Sequence, residues 1–187
     1  MDNFKVDDMF DDQLSEALAD LLQKSKHQIV FAESCTAGLI SASLARIPGA
    51  SNVLAGSAVV YQLPTKCAWL NVEEQSLEEF GAVSEQVSQE MAMGAILRTP
   101  QATIAASVTG HLGPDAPPEL DGMAWSTVVI GSDSDVTVYS RQLKLQPSPQ
   151  DVDAGSLNAV TVRRDRQFSA VHEVMRFCVE VLTAGSE

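Results

Sequence analysis

The fold is indicated most clearly by residues 27–47, HQIVFAESCTAGLISASLARI. The first part, HQIVFAES, has the apolar run of a buried strand, and AGLISASLARI has apolar residues at helical spacing until Pro48–Gly49 ends the pattern. Ser34, Cys35 and Thr36 lie between these two elements. Their side chains could cap the helix. Alternatively, one of them could be a nucleophile whose oxyanion is stabilised by free N–H groups at the helix N-terminus.

The same alternation of strands and helices continues on both sides of this stretch. Helical spacing of apolar residues predicts helices over residues 11–25, 65–70, 73–80, 84–98 and from about 163 to 182. Strands are predicted over residues 52–61, 102–110, 123–131 and 135–145, the last two joined by a hairpin-like turn at 132–134. The segment QPSPQDVDAGS, residues 146–156, is predicted to be a surface loop. Together these elements predict a layered α/β fold with a mixed sheet.

Composition limits the class of protein and its partners. A chain of 187 residues that is 45% hydrophobic predicts one domain with a substantial core, here residues 13–187 behind an acidic tail over residues 1–12. No apolar run approaches the roughly 20 residues that span a bilayer, so we expect no membrane partner. The acidic N-terminus is unlike a secretory signal, which favours a cytoplasmic location. The net charge of −13 without a basic stripe disfavours nucleic-acid binding.

The cysteines and histidines give no metal-ligand pattern. Cys35, Cys67 and Cys178 are widely spaced without a CxxC pair, so neither structural zinc nor a disulfide framework is expected. His27 and His172 lie at the edges of predicted elements, again without ligand spacing. We therefore predict reduced thiols and no metal site.

Three further stretches accompany AESCTAG and IPGAS in the chain. VVYQLPTKCAWL places Tyr61 five residues before Lys66, FGAVS occupies residues 80–84, and SVTGHLGP occupies residues 107–114. In this order they resemble the CinA C-terminal domain family, whose members include nicotinamide-nucleotide amidohydrolases, and the resemblance extends from about residue 16 to 182. It implies a three-layer α/β/α sandwich with a mixed, mostly parallel sheet. It also implies deamidation of nicotinamide mononucleotide to nicotinic acid mononucleotide and ammonia without a cofactor. The partner would be this small-molecule substrate, and the sequence is compatible with a homodimer.

The resemblance also implies roles for individual residues. Ser34 would be the nucleophile, Lys66 its base, and Tyr61 would lie beside them. A lysine can be a base only if burial or neighbouring positive charge lowers its pKa, and the N–H groups of Cys35 and Thr36 could bind the oxyanion. The expected substrate-binding residues are Cys35, Thr36, Gly38, Thr109, Gly110, His111, Gly113 and Arg163.

The sequence departs from the family pattern on the side expected to bind phosphate. The family usually has TGxAGP followed by a pair of glycines, whereas this chain has TGHLGPDAPPELDG, in which Pro117 and Pro118 lack N–H donors. A later family element that contains a lysine is replaced by LDGMAW, which has none. Gln167 occurs where the family has the second of two arginines four apart, although Arg164 and Arg166 could compensate. Ala37 is a smaller departure.

Several alternatives stay open at this stage. The chain could be a catalytically silent relative that binds a nucleotide or a protein through the altered TGHLGP loop, or a hydrolase of a different small amide. Without the resemblance, Lys66 would be interpreted as an ordinary solvated lysine and Tyr61 as a half-buried strand residue. His111 could be a proton shuttle, a phosphate donor or a loop residue with neither role. Cys35 is disfavoured as the nucleophile.

Overall fold

The first strand of the sheet is buried on both faces. The computed structural model describes residues 11–132, 135–146 and 158–185, and its first strand, β1, is Ile29–Glu33. Ile29 and Phe31 belong to one hydrophobic core, and Val30 and Ala32 to the other. Because successive strand residues point to opposite faces, this apolar run forms an interior strand of a sheet covered by helices on both sides.

Five strands and six α-helices make up the described part of the chain. The helices are α1 Asp12–Ser25, α2 Leu39–Ala45, α3 Leu63–Leu70, α4 Glu74–Phe80, α5 Glu85–Leu97 and α6 Ala159–Ala184. The remaining strands are β2 Leu54–Val59, β3 Ile104–Gly110, β4 Met123–Ser132 and β5 Asp135–Lys144. Helices α1, α2 and α6 cover one face of the sheet, and α3 to α5 cover the other.

The sheet has the strand order β2-β1-β3-β4-β5. The pairs β1–β2 and β1–β3 are parallel, whereas β3–β4 and β4–β5 are antiparallel. Four strands therefore point the same way and only β4 is reversed. This confirms the predicted α/β/α sandwich with a mixed, mostly parallel sheet.

The connections between the strands create a binding position at the carboxyl ends of the parallel strands. The chain passes from β1 to β2 through α2 on one face, and from β2 to β3 through α3–α5 on the other. The carboxyl ends of β1 and β3 therefore flank a topological switch point, where α/β proteins bind ligands. The three motif stretches AESCTAG, VVYQLPTK and SVTGHLGP all lie at this edge.

Helix α5 packs unusually close to α3. A Cβ added to Gly94 would lie 1.9 Å from the Leu70 carbonyl oxygen, so glycine is needed for this approach. Met91, one turn earlier on α5, is fully buried against the same layer. The close packing brings a thioether to the inner side of α3, where Lys66 lies.

Several helix boundaries differ from the prediction, and the structure explains the starts of α2 and α6. Helix α2 begins at Leu39 rather than Ala37 because Ala37 and Gly38 have φ angles of 53° and 97°, which a right-handed helix excludes. The last helix begins at Ala159, four residues early, because the Asn158 side chain caps the N–H groups that follow it. Residues 1–10, 133–134, 147–157 and 186–187 lie outside the described residues, so the predictions of a hairpin-like turn at 132–134 and of a surface loop over 146–156 fall largely there.

The described helices include none long and apolar enough to cross a membrane. Nor do the described His, Cys, Asp and Glu side chains form a cluster of three that could hold a metal ion.

Candidate functional site

A cleft of about 460 Å³ lies at the carboxyl ends of β1, β2 and β3. Nine of the eleven site residues predicted from the sequence line it, although they come from four separate segments of the chain. They are Ser34, Cys35, Tyr61, Lys66, Thr109, Gly110, His111, Gly113 and Arg163.

The other two predicted residues, Thr36 and Gly38, do not line the cleft. The Thr36 hydroxyl and the Gly38 N–H both donate hydrogen bonds to the carboxylate of Glu33, over 2.9 and 3.0 Å. These two residues support the turn from inside. The buried Glu33 carboxylate occupies the Thr36 hydroxyl and the Gly38 N–H, so neither of these two donors is left for a substrate.

Ser34 lies directly after β1 and is 7% exposed. Its N–H donates to the Val108 carbonyl oxygen over 3.1 Å, which fixes its backbone to β3. Its hydroxyl has no hydrogen-bond partner among the described residues and faces the cleft. The side chain is therefore available to a bound molecule.

The N–H groups of α2 are not the available donors near Ser34. Helix α2 begins five residues after Ser34, and Glu33 already accepts hydrogen bonds from the N–H groups of Ile40 and Ser41 in its first turn. In contrast, no oxygen of the described chain accepts a hydrogen bond from the N–H of Cys35 or Thr36. These two N–H groups therefore have no oxygen acceptor within the turn.

The peptide between Cys35 and Thr36 is held from the last helix. The Gln167 side-chain amide donates to the Cys35 carbonyl oxygen over 3.0 Å. The C=O and N–H of a trans peptide point in opposite directions, so this bond turns the Thr36 N–H away from α6. Gln167 thus orients a peptide of the turn that follows Ser34.

Lys66 is buried, with 1% of its surface exposed. Its Nζ donates to the Val60 carbonyl oxygen over 2.9 Å and to Met91 Sδ over 3.5 Å. No carboxylate of the described residues forms an ion pair with it. Desolvation lowers the pKa of Lys66 to about 8, because burial disfavours the charged ammonium. The interpretation as an ordinary solvated lysine is therefore wrong.

Ser34 and Lys66 line the same cleft but do not hydrogen-bond to each other. Their backbones are nevertheless joined. The Val60 N–H donates to the Glu33 carbonyl oxygen over 2.8 Å, and the Val60 carbonyl holds Lys66. The segments that carry the two side chains are thus fixed to one another.

Cys35 is a protonated thiol at neutral pH. Burial raises the pKa of Cys35 to about 12, although the charges of Lys66 and Arg163 oppose this shift. A group that remains a thiol cannot be the thiolate nucleophile, which agrees with the low rank that the sequence analysis gave it.

Arg163 bridges two walls of the cleft. Its guanidinium donates to the Tyr61 hydroxyl on one side and to the Gly113 carbonyl oxygen, over 2.7 Å, on the other. Tyr61 is half exposed, and its hydroxyl bonds to Arg163 rather than to Ser34 or Lys66. Tyr61 therefore contributes to the cleft wall through Arg163.

The loop that follows β3 is fixed by Arg166, and the end of β3 by Thr109. Arg166 forms two hydrogen bonds of 2.7 Å with Asp121, which hold the pKa of that carboxyl below its usual value. Thr109 donates to the Ala82 carbonyl oxygen over 2.7 Å. Neither Arg164 nor Arg166 lines the cleft, and Arg164 pairs with Asp165. The expectation that they replace a missing arginine is therefore wrong.

Sequence reasoning missed several residues of the site. Glu33, Asp115 and Gln167 were not predicted to contribute, yet Asp115 lines the cleft and the other two hold the turn that follows Ser34. Glu33 did carry a signal, because it is the charged residue of an otherwise apolar strand. Such a residue is buried only when its carboxylate is satisfied.

Comparison with known proteins places this architecture in a family. The model of the CinA C-terminal domain family matches residues 11–162. The chain is 42% identical over 122 residues to a CinA-like protein of Petrotoga mobilis, a match that covers 64% of this chain and 30% of the relative. It is 35% identical over 148 residues to a CinA-like protein of Prochlorococcus marinus, covering 79% of this chain and 35% of the relative. The chain thus spans about a third of the length of these relatives.

Solved structures share the fold over nearly the whole chain. The competence/damage inducible protein CihA of Agrobacterium tumefaciens matches with a TM-score of 0.77 and 26% identity, covering 98% of this chain and 99% of that one. The competence damage-inducible protein A of Klebsiella pneumoniae has the same fold, with a TM-score of 0.78 at 21% identity over 92% and 96% of the two chains. The sequence match, the fold and the position of the motifs agree, and the chain belongs to the CinA C-terminal domain family.

Proposed function

We propose that the protein is an amidohydrolase of pyridine nucleotides that uses Ser34 as nucleophile and Lys66 as base. The substrate that the family resemblance implies is nicotinamide mononucleotide, and the products are nicotinic acid mononucleotide and ammonia. The observation that carries the proposal is a buried lysine, with a pKa of about 8 and no carboxylate partner among the described residues, in the same cleft as an unbonded serine. A serine hydroxyl needs such a base to become an effective nucleophile.

The hydrogen bonds of Lys66 fit the role of a base. A neutral amine has two N–H donors and one lone pair, whereas an ammonium has three donors. Val60 and Met91 supply two acceptors for Nζ. When the amine is neutral, its lone pair is therefore the part left to face the cleft and accept the Ser34 proton.

The reaction has two stages. In the first, Ser34 Oγ attacks the carboxamide carbon, its proton passes to Lys66 Nζ, and the carbonyl oxygen becomes an oxyanion. Lys66 then returns the proton to the amide nitrogen, the C–N bond breaks, and ammonia leaves an acyl-serine ester. In the second stage, Lys66 takes a proton from water, the resulting hydroxide attacks the ester, and Ser34 leaves with the proton as the carboxylic acid is released.

Backbone donors support the charge that develops on the oxygen. The N–H groups of Cys35 and Thr36 have no oxygen acceptor in the described chain and lie in the turn that carries Ser34. Fixed donors of this kind stabilise an oxyanion because they need not reorient during the reaction. The pyridine ring and ribose would lie toward the wall formed by residues 109–116 and Arg163.

The test is ammonia release from a panel of pyridine nucleotides, their nucleosides and simple amides. Wild-type protein is expected to release ammonia from a pyridine nucleotide, and Ser34→Ala to release none while keeping the wild-type circular dichroism spectrum and melting temperature. Ser43→Ala serves as the matched control, because the Ser43 hydroxyl donates to the Leu39 carbonyl oxygen within α2 and Ser43 does not line the cleft. Undiminished turnover by folded Ser34→Ala would remove Ser34 from the mechanism.

The panel also separates the alternatives. Turnover of a simple amide but of no pyridine nucleotide would indicate a hydrolase of a different small amide. No turnover, combined with nucleotide binding measured by calorimetry, would indicate a catalytically silent relative.

A further inference from the structure

Glu33, the last residue of β1, directly precedes Ser34 and is 0% exposed. Its Oε2 atom accepts three hydrogen bonds from the segment that follows. The donors are the Thr36 hydroxyl at 2.9 Å and the N–H groups of Gly38 and Ile40, both at 3.0 Å. One carboxylate oxygen therefore connects the middle of the nucleophile turn to the start of α2.

The second oxygen, Oε1, accepts three more hydrogen bonds. The Ser41 N–H and hydroxyl donate over 3.0 and 2.8 Å, and the Ser57 hydroxyl donates over 3.0 Å. Ser57 lies on β2, the strand that leads toward Lys66. The Glu33 carboxylate thus joins β1, α2 and β2 behind the cleft.

Helix capping alone does not account for a carboxylate in this place. Burying a charged group is costly unless it is fully hydrogen-bonded or paired, and no cation of the described chain pairs with Glu33. An exposed serine or aspartate would cap α2 without that cost. A carboxylate at this position accepts six hydrogen bonds from three segments of the chain. These bonds are charge-assisted and therefore stronger than those that a neutral side chain would form.

The turn held by these bonds has a strained backbone. Ala37 has a φ angle of 53° and is followed by Gly38 at 97°. A residue with a Cβ adopts such a conformation only where the surrounding contacts over-determine it. The Ala37 N–H donates to the Ser34 carbonyl oxygen over 3.1 Å, and the side-chain contacts of the turn from Thr36, Gly38 and Ile40 all end on Glu33.

We propose that Glu33 is the positioning residue of the nucleophile. Its carboxylate fixes the turn over residues 34–38 so that the Ser34 hydroxyl and the free N–H groups of Cys35 and Thr36 are preorganised for attack. Glu33 does not line the cleft and acts through the turn. The inference rests on the proposed Ser34 chemistry, but not on the identity of the amide.

Glu33→Gln is the sharpest variant because glutamine has the same shape. On the Oε1 side, two of the three donors are hydroxyls, from Ser41 and Ser57, which can rotate to accept from the glutamine NH₂ group. On the Oε2 side, two donors are backbone N–H groups that cannot reverse. Glutamine should therefore place its NH₂ group where Glu33 has Oε1. Only the Ser41 N–H would then face another donor instead of an acceptor, and the protein should fold.

For Glu33→Gln we expect kcat to fall about 10-fold, with KM and the folded circular dichroism spectrum unchanged, because the three bonds at the Oε2 position persist without charge assistance and the Ser41 N–H opposes the NH₂ group. Glu90→Gln is the matched control. The Glu90 carboxylate also caps a helix, accepting from the Glu73 N–H and the Ser76 hydroxyl, but it does not line the cleft. Adding Ala37→Gly to Glu33→Gln should recover part of kcat, because glycine relieves the strain that Glu33 restrains.

A second readout does not depend on the substrate. A fluorophosphonate labels an activated serine when its oxygen attacks phosphorus, fluoride leaves and the proton passes to the base. Ser34 should be labelled in wild-type and Glu90→Gln proteins at equal rates, and much more slowly in Glu33→Gln. If wild type labels at Ser34 but releases no ammonia from any amide, the proposed function fails, and the labelling rates alone decide the role of Glu33.

Folded Glu33→Gln with wild-type kcat and labelling rate would overturn the inference, as would a loss confined to KM. Absence of any labelling at Ser34 in wild type would overturn it too. If Glu33→Gln does not fold, Ser57→Ala decides. It removes one hydrogen bond to Oε1 and should cause a smaller loss of kcat at unchanged KM, whereas unchanged kcat would again contradict the proposal.

Discussion

The amine of Lys66 donates a hydrogen bond to the carbonyl oxygen of Val60 over 2.9 Å, in a position where the lysine is only 1% exposed. Val60 follows the edge strand β2, and Lys66 lies on the inner side of α3. The charge of an ammonium is poorly solvated there. Protonation of Lys66 should therefore affect both the rate of turnover and the stability of the fold.

The first prediction concerns the pH dependence of turnover. A lysine base must be neutral to accept the Ser34 proton, so kcat/KM should rise with pH and level off above the Lys66 pKa of about 8. His111→Ala is the control, because the His111 imidazole also lines the cleft and could act as a base. It should change substrate binding more than it changes the rising limb of the pH profile. If His111→Ala abolished the limb while Lys66→Met kept normal turnover, the base would be His111.

The second prediction concerns stability. The folded-state pKa of Lys66 is lowered from 10.5 to about 8, so between these values the unfolded chain binds more protons and stability rises with pH. Below about pH 8 the fold bears the full cost of the buried ammonium. Lys66→Met should abolish turnover but raise the free energy of unfolding at pH 7. The gain should be about 1 kcal/mol, because removal of the buried charge outweighs loss of the Val60 hydrogen bond. The difference in stability from wild type should shrink toward pH 10.

Calorimetric melting of both proteins at pH 7 and pH 10 measures this effect. Lys24→Met, at an exposed position on α1, should show no such pH-dependent difference from wild type. A difference between Lys66→Met and wild type that stays constant with pH would contradict the assignment of a lowered pKa.

The third prediction concerns the phosphate of the substrate. Asp115 lines the cleft, and Pro117 and Pro118 just beyond it have no N–H to donate. We expect the phosphorylated nucleotide to be used weakly relative to its nucleoside. Asp115→Asn should raise kcat/KM for the nucleotide alone, whereas Glu119→Gln, exposed in the same loop outside the cleft lining, should not. A wild-type preference for the nucleotide of about 100-fold, or about 2.7 kcal/mol, would refute this expectation.

The fourth prediction concerns Gln167, which donates to the Cys35 carbonyl oxygen. Gln167→Leu removes the donor and should lower kcat about 10-fold, less than the loss of a direct oxyanion donor, with little change in KM. Gln167→Arg restores a donor and should recover much of the rate. Steady-state kinetics with one amide substrate measure both variants, and an effect on KM alone would place Gln167 in substrate binding.

The sequence predicted the sheet and most of the cleft because parallel strands bring their carboxyl ends to one edge. The family resemblance named Ser34, Tyr61 and His111, and each of them follows a parallel strand, β1, β2 or β3. The acidic tail and single domain, the cytoplasmic location and the homodimer stay predictions.

Packing between elements could not be read from the sequence. Arg163 and Arg166 are one turn apart on α6, yet Arg163 lines the cleft and Arg166 binds Asp121. Which arginine reaches the ligand depends on the loop that meets the helix. The burial of Lys66 likewise depends on α5, whose Gly94 allows the close approach to α3.

The bridge formed by Arg163 has a practical consequence for defining the smallest folding unit. The family match ends at residue 162, immediately before the residue that connects Tyr61 and Gly113. A chain shortened to the matched range would lose this bridge, together with the Gln167 contact and the buried face of α6 that includes Val174 and Phe177. The cleft and the core share one C-terminal helix, so neither should survive a truncation that removes it.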